Sequence, residues 1–425
     1  MRIDQITKST KGNLARISAT VRWEDCDRPT QEIYISVPSR FRDDLSCNPN
    51  TFLLNGFVPA MHDGEKRLQI DGKLCPQLRN GVETAIQLLQ HWYGEDGHST
   101  VAIEATQGFE PPVPRTPERT ALFMSGGVDS LTSFYLNRQD FPLDHPGSIQ
   151  DGLFMAGFGL VGEGENGYTG SLRDAFKDSA NKIDQDAAFL SELVEREKFT
   201  LIPIHTNFTT SMVRPKILVR EMGAAILAAI AHVFPDRFSK VNIASSYSIK
   251  ELYLNGTLHP WGTHPFLDPN YSSAEMSVHH EDCHLTRLEK LGVIADWELG
   301  LSCLRVCNYR PEYHKSGTLN CGRCDKCIRT MLQLMIYGGL GRCSTFPDKD
   351  VTLEMIEHME IRSPAVSLPQ LVEPLEQIGR YDLAKALKVK LKKISWLYTA
   401  YRIDQRYLGG NLRRLYRQFR GGVSP

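Results

Sequence analysis

The sequence predicts an α/β protein built on a doubly wound parallel sheet, with a small α+β unit before it and a helical extension after it. Three observations carry this expectation. From about residue 120 to 245, β-rich apolar runs alternate with stretches of helical periodicity. The first of those runs, TALFM, passes directly into SGGVDS, a glycine turn that opens a helix. After about Phe346 the chain reads as helices only. Alternation of this kind argues for parallel strands with helices on both faces, and it places ligands at the carboxyl ends of the strands. The expected divisions are 1–118, 119–345 and 346–425.

The elements follow in order. LARISATVRW and EIYISVP, within residues 14–39, are β-rich and separated by the polar EDCDRPTQ, which predicts a hairpin. PQLRNGVETAIQLLQHWY (76–93) has helical spacing, and STVAIEAT reads as a returning strand. GFEPPVPRTPERT (108–120), with its four prolines, is a linker. Beyond it, TALFM, DGLFMAGFGL, FTLIPIHTN and KVNIASSY are expected strands; DQDAAFLSELVER and REMGAAILAAIAHVF are expected helices, the second apolar nearly all round.

Composition bounds the function. The 425 residues exceed one average domain, and 41% hydrophobic with 23% charged residues is an ordinary globular balance. A formal net charge of −1 gives no global electrostatic case for nucleic acid or an acidic membrane. The first residues lack the apolar core of a signal peptide, and no run reaches the length of a membrane span. The expectation is a cytoplasmic protein whose ten cysteines are reduced thiols, metal ligands or core residues rather than disulfides.

The chemistry begins at Ser125, Gly126, Gly127, Asp129 and Ser130. Adjacent glycines allow positive φ and close approach of the backbone to a ligand. The amides of the following helix have no intrahelical partner and carry partial positive charge, which suits a phosphate. Ser125 and Ser130 add hydroxyl donors. A carboxylate beside a phosphate requires a cation between them, so Asp129 implies Mg²⁺. The lysine of G-x-x-x-x-G-K-[ST] is absent, and G-x-G-x-x-G does not fit either. The plain alternative is a glycine turn capped by Ser and Asp. The pattern S-G-G-x-D-S after a strand resembles the PP-loop of the N-type ATP pyrophosphatases, which cut ATP between its α and β phosphates. That resemblance implies adenine contacts from the backbone of Ala156, Gly157 and Phe158, and a nucleotide contact from Arg220; a lone arginine at a helix start is as readily a surface residue.

A second motif is NCGRCDKC, with Cys321, Cys324 and Cys327 in C-x-x-C-x-x-C spacing. Structural zinc asks for four ligands, and thiolates favour soft metals. Cys307, with thirteen residues between it and Cys321, is the chosen fourth ligand and Cys303 its rival. An iron–sulfur cluster and three unligated core cysteines are the other readings. S-G-G-x-D-S at the start of a doubly wound domain and this cluster at its end together resemble the 7-cyano-7-deazaguanine synthases, the QueC-like branch of the PP-loop enzymes. The resemblance covers about residues 120–345, and Arg329 matches the arginine that trails the cluster. It implies a ligase that uses ATP, Mg²⁺ and Zn²⁺: a 7-carboxy-7-deazaguanine carboxylate attacks ATP, pyrophosphate leaves, and an amine takes the acyl group from AMP.

The chain departs from that family in several places. The segment after the fourth strand lacks the family's base-reading Y-P-D-C pattern, and Asp268 is the nearest stand-in. Five of the thirteen histidines, His259, His264, His279, His280 and His284, fall within 26 residues there. A second metal or an acid–base group is the sharp reading, and a polar loop with ordinary hydrogen bonds the plain one. His264 and Asp268 are the substrate candidates. Arg287, with Glu289 two residues on, fits a basic residue of the family's helix; a surface ion pair fits equally.

The N-terminal unit carries no chemical motif and reads as a lid or docking surface. Residues 385–420 hold eleven basic residues against Asp404, interleaved with aromatics from Trp396 to Phe419. A packed amphipathic helix pair, an acidic protein partner and nucleic acid are the readings for that stretch. The additions favour a macromolecular amine over ammonia. QueC-like proteins with such extensions resemble those of bacterial anti-phage operons, where a partner protein would be the acceptor. Rival functions are a tRNA-modifying PP-loop enzyme and a non-catalytic, zinc-stapled ATP sensor. A homodimer is compatible with the sequence.

Overall fold

A computed structural model describes residues 1–94, 98–111, 115–155, 183–212, 217–254, 257–307, 317–359 and 368–407. Among them, the residues up to Thr286 form one compact unit and those from Arg287 onward a second. These limits do not coincide with the expected ones at 118 and 345.

The first unit is organised by a ten-stranded, mostly parallel sheet. Its N-terminal strands are β1 (Arg2–Lys11), β2 (Leu14–Arg22), β3 (Gln31–Pro38), β4 (Arg67–Ile70) and β5 (Ala102–Ala105). The remaining strands are β6 (Thr120–Phe123), β7 (Ile149–Met155), β8 (Thr200–Thr206), β9 (Lys240–Ala244) and β12 (Ser277–Glu281); β10 (Tyr253–Leu254) and β11 (Thr257–Leu258) make a separate hairpin. The strand order is β12-β9-β6-β7-β8-β3-β2-β1-β4-β5. The five strands from β12 to β8 pair in parallel. By chain order they run 3-2-1-4-5, the order of a doubly wound sheet, whose direction of winding reverses between β6 and β9.

The expected hairpin is β2–β3, and its burial alternates as a one-faced sheet requires: Ile17, Ala19 and Val21 are buried between half-buried Ser18 and Thr20. What the sequence reading lacked is the join. Strand β3 pairs antiparallel with β8 through Ile35↔Thr206 and Ser36↔His205, so the N-terminal unit continues the parallel sheet. Side chains reinforce the seam. Thr206 Oγ1 donates to Tyr34 O at 2.6 Å, and Asn207 Oδ1 accepts from Tyr34 N at 2.8 Å.

Helix α1 (Pro49–His62), which the sequence reading did not place, is buried continuously from Asn50 to Met61. Asn48 caps it by accepting from Asn50 N at 3.0 Å, and Pro49 supplies the preset φ of a first helical position. It lies against β4 and against a later helix, α5 (Gly223–Ala231), whose alanines permit close approach. Helix α2 (Pro76–Tyr93) keeps the expected bounds and buries Leu78, Val82, Ala85, Ile86 and Leu89 at helical spacing. Helix α3 (Val128–Asp140) follows the glycine turn, and α4 (Ser191–Glu197) precedes β8. At the foot of β7, fully buried Asp151 is held by Arg119 Nε at 2.5 Å and Arg237 Nη2 at 2.9 Å. A buried carboxylate is tolerated because both guanidinia pair with it.

The second unit is helical: α6 (Arg287–Ala295), α7 (Glu298–Cys303), α8 (Asp325–Ile336), α9 (Leu353–His358), α10 (Val372–Gln377) and α11 (Tyr381–Tyr407). The start of α11 packs Leu383, Ala384 and Leu387 on α9 and α10 and leaves Lys385, Lys388, Lys392 and Lys393 exposed. Residues 408–425, with the last basic and aromatic positions, lie outside the described residues. None of the ten cysteines forms a disulfide, and no described helix is long and apolar enough to cross a membrane.

Two outcomes test this packing. A Cβ at Gly81 on α2 would collide with the carbonyl oxygen of Asn270. Gly81→Ala should therefore cost about 1–3 kcal/mol in chemical denaturation, while Thr84→Ala on the exposed side of α2 stays near wild type. The second concerns His232, fully buried at the end of α5 and hydrogen-bonded to Ala228 O at 2.7 Å. Burial holds its pKa down from 6.5 to about 4. The unfolded chain therefore takes up a proton that the fold refuses. Its contribution, about 3 kcal/mol, is complete above pH 6.5 and is lost as pH falls toward 4. A His232→Gln protein should show a flatter stability profile across that window.

Candidate functional site

Strand β6 is buried along its whole length and is paired in parallel on both sides. The turn that leaves its carboxyl end is therefore fixed at the reversal point of the sheet, where doubly wound folds bind ligands. Met124 N prolongs the ladder to Leu153 O at 2.9 Å before the chain turns. Gly126 then takes φ +72°, and a Cβ there would strike the Phe189 ring and Leu190, so the position demands glycine on both counts. The serines tie the turn together. Ser130 Oγ lies 3.2 Å from Ser125 Oγ and accepts from Ser125 N at 3.3 Å, while Ser125 Oγ accepts from Gly127 N at 3.2 Å.

The N-cap residue of α3 is Gly127, which has no side chain with which to cap the first turn. That end presents backbone amides and the positive end of the helix dipole, the setting that suits an anion. Asp129 stands in this first turn, half-buried, and Ser125 is exposed. A second carboxylate, Asp282, follows β12 and accepts a hydrogen bond from Ser133 Oγ on the next turn of α3. Sequence reasoning passed over it because no motif surrounds it.

The other expected site residues have the following surroundings. Ala156, Gly157 and Phe158 lie outside the described residues. Arg220 sits in a π turn, Leu218–Met222, and its guanidinium lies 4.3 Å above the Tyr93 ring. Within the histidine-rich segment, Asp268 links His264 and His280. His264 and Asp268 are both fully buried; Asp268 accepts from His264 N at 2.8 Å and bonds His280 Nδ1 at 2.7 Å. Burial pushes the Asp268 carboxyl upward, and burial likewise holds His264 down to about 4. His259 lies among Tyr247 and Trp261, His279 is 2.8 Å from Ser277 Oγ, and His284 is exposed. Arg287, at the start of α6, donates to Thr330 Oγ1 at 3.3 Å, and Glu289 is exposed.

The second unit brings Cys307, Cys321, Cys324 and Cys327 together, with all four Sγ atoms within 4.8 Å of one another. Cys303 stays apart; its thiol donates to Leu299 O at 3.3 Å within α7. Asn320, fully buried, explains the approach of Cys307. Its Oδ1 accepts from Val306 N at 2.8 Å and Cys307 N at 3.1 Å, and its Nδ2 donates to Leu304 O at 2.8 Å. The asparagine before the first cysteine of the motif is thus the residue that recruits the distant ligand. Gly322 turns the loop at φ +71°, Cys324 is the N-cap of α8, and its amide donates to Cys321 Sγ at 3.4 Å.

The Cys321–Cys327 Sγ separation is 3.7 Å. Four sulfurs at about 2.3 Å from a tetrahedral zinc lie about 3.8 Å apart, so the spacing fits the ion. The protons point the same way. Hydrogen bonds from Cys321, Cys324 and Cys327 hold the Cys307 thiol far below the ordinary thiol range, and the thiols of Cys324 and Cys327 are driven up because they serve Cys307. The Cys321 thiol, against the upward pull of its bond to Cys307, is lowered as well, to about 6, because Cys324 and Cys327 also donate to it; a divalent cation would balance the negative charge gathered here. This group could bind a metal such as zinc. Arg329 follows on α8, two residues beyond Cys327.

Another group escaped the sequence reading: His62, His98 and Glu221 also converge, and among the described residues these two groups are the ones with metal-ligand chemistry. No spacing could reveal them, because they lie in three separate segments.

Zinc added to the purified chain should load this cluster; Cys327→Ser should lose that uptake, whereas Cys303→Ser should retain it. Metal analysis of the purified proteins, with and without chelator, checks both. No protein-family model, no curated protein and no solved structure matches the chain.

Proposed function

We infer that the chain is a QueC-like ATP-dependent ligase of the N-type ATP pyrophosphatase class, which adenylates a carboxylate and passes the acyl group to an amine. The observation that carries this reading is the turn Ser125–Ser130: two glycines at the reversal point of a doubly wound sheet, an uncapped helix end, and a carboxylate within its first turn. A phosphate-binding corner with no lysine but with Asp129 calls for a cation to reconcile the two negative groups.

In this reading a carboxylate oxygen of the substrate, 7-carboxy-7-deazaguanine by resemblance, attacks the α-phosphorus of ATP. The bond to the β-phosphate oxygen breaks, and pyrophosphate departs. An amine nitrogen then attacks the acyl carbon, AMP leaves with the bonding electrons, and the nitrogen gives up a proton. Ser125, Ser130 and the α3 amides would hold the phosphates, and Asp129 would hold Mg²⁺, which would supply positive charge to the departing oxygens. The protein's own work is alignment and charge stabilisation, so no serine or cysteine nucleophile is needed. The four cysteines act as a structural staple, since four thiolates leave no open position on a metal. The amine is ammonia or, given the extra regions, an amine of a partner protein.

The test is incubation with Mg·ATP and 7-carboxy-7-deazaguanine, with and without ammonia, following AMP, pyrophosphate and substrate mass. Asp129→Ala should lower AMP formation by about 10²–10³-fold, and Gly126→Ala should act similarly by displacing the turn. AMP no higher than in the Asp129→Ala protein would overturn the assignment.

A further inference from the structure

We propose that His62, His98 and Glu221 form a binding site for a divalent first-row transition cation, held by two imidazole nitrogens and one carboxylate oxygen. His62 is the last residue of α1, His98 lies on the segment that leads to β5, and Glu221 sits in the π turn that enters α5. His62 Nε2 is 2.7 Å and His98 Nε2 2.8 Å from the same oxygen, Glu221 Oε2. Two neutral nitrogens and one carboxylate suit borderline ions such as Zn²⁺, Fe²⁺ or Co²⁺ rather than the all-oxygen preference of Mg²⁺ or Ca²⁺.

The geometry needs little change. Ligands at about 2.1 Å from a tetrahedral ion stand about 3.4 Å apart, so each nitrogen would withdraw from Oε2 by well under 1 Å. The supporting structure is already in place. Ser99 N donates to Met61 O at 3.1 Å, which pins the His98 segment to the end of α1. The Tyr93 ring stacks on His98 at 6.0 Å, and Tyr93 Oη donates to Arg220 O at 2.7 Å, tying the π turn to the same wall. A π turn inside a helix widens it by one residue and often marks a functional position; here it belongs to the residue that turns a carboxylate inward. Nδ1 of His98 is buried without a hydrogen-bond partner, so no other contact dictates which nitrogen of that ring carries the proton.

The side chains of His98 and Glu221 are 4% and 3% exposed, and that of His62 is 18% exposed. An ion with three protein ligands would therefore keep its remaining position on the His62 side, open to water or a small ligand. That distinguishes it from the closed thiolate cluster of the second unit.

The full-length protein, stripped with chelator and titrated with Co²⁺, tests this. Wild type should take up two ions: one with thiolate-to-cobalt charge-transfer absorption and one without. His62→Gln keeps a donor for Glu221 while removing the ligand, so it should lose only the ion that lacks the thiolate band; Glu221→Gln should do the same. X-ray absorption on the doubly loaded wild type needs no variant and should show a nitrogen and oxygen shell beside the sulfur shell. Uptake of only the ion with the thiolate band, a sulfur-only shell, or two ions retained in both variants would overturn the proposal and leave an internal hydrogen-bonded triad.

Discussion

The short antiparallel seam between β3 and β8 is the constraint on which the first unit depends. Strand β8 would otherwise be the open edge of a parallel sheet, with a row of unpaired amides and carbonyls free to pair with another chain. The N-terminal strands close that edge, and only two residue pairs of ladder, Ile35↔Thr206 and Ser36↔His205, are needed to do it. The side-chain bonds of Thr206 and Asn207 to Tyr34 and the layer of α1 on α5 extend the junction well beyond those pairs. Once it is made, one sheet runs through both halves, and their helices must share a layer. The N-terminal residues are therefore part of the scaffold that carries the glycine turn, rather than an independent module.

How far this was legible in the sequence depended on the range of the forces involved. Helix α2 was readable to the residue because its apolar positions recur at 3.6 and its ends carry Pro76 and Gly94. Strands β2, β3, β6 and β9 were readable from β-rich runs bounded by polar or turn residues. Helix α1 was not, because it is buried from Asn50 to Met61 and so lacks the polar face that gives a helix its period. The expected DQDAAFLSELVER helix is broken by a 3-10 turn at Ala188–Leu190, which turns Phe189 and Leu190 against Gly126. Tertiary contact there overrides local propensity.

The candidate sites divide along the same line. The glycine turn and three of the cysteines are contiguous motifs, so their chemistry could be read before any fold was known. Cys307 needed a choice against Cys303, and the deciding agent, Asn320, acts through backbone hydrogen bonds that no spacing encodes. His264 and Asp268 had been marked by polarity and density; they are fully buried, and Asp268 bonds both His264 N and His280. Three residues dispersed in the sequence, His62, His98 and Glu221, also converge.

That convergence has a physical basis in how charge is buried. A buried carboxylate or thiolate is stable only when the surrounding groups supply opposite charge or enough donors. Asp151 has two arginines for this purpose, and Asp268 has His280 and a backbone amide. At Cys307 the donors are three further thiols, each of which could itself ionise, so the set is poised to exchange protons for a cation. Glu221 stands in an intermediate position, because both of its partners are imidazoles that can act as proton donors or as ligands. Where every partner of a buried anion can also coordinate, hydrogen bonding and metal binding are alternative ways of meeting the same electrostatic demand. Only at the cysteines and at His62, His98 and Glu221, among the described residues, does the fold leave that choice open.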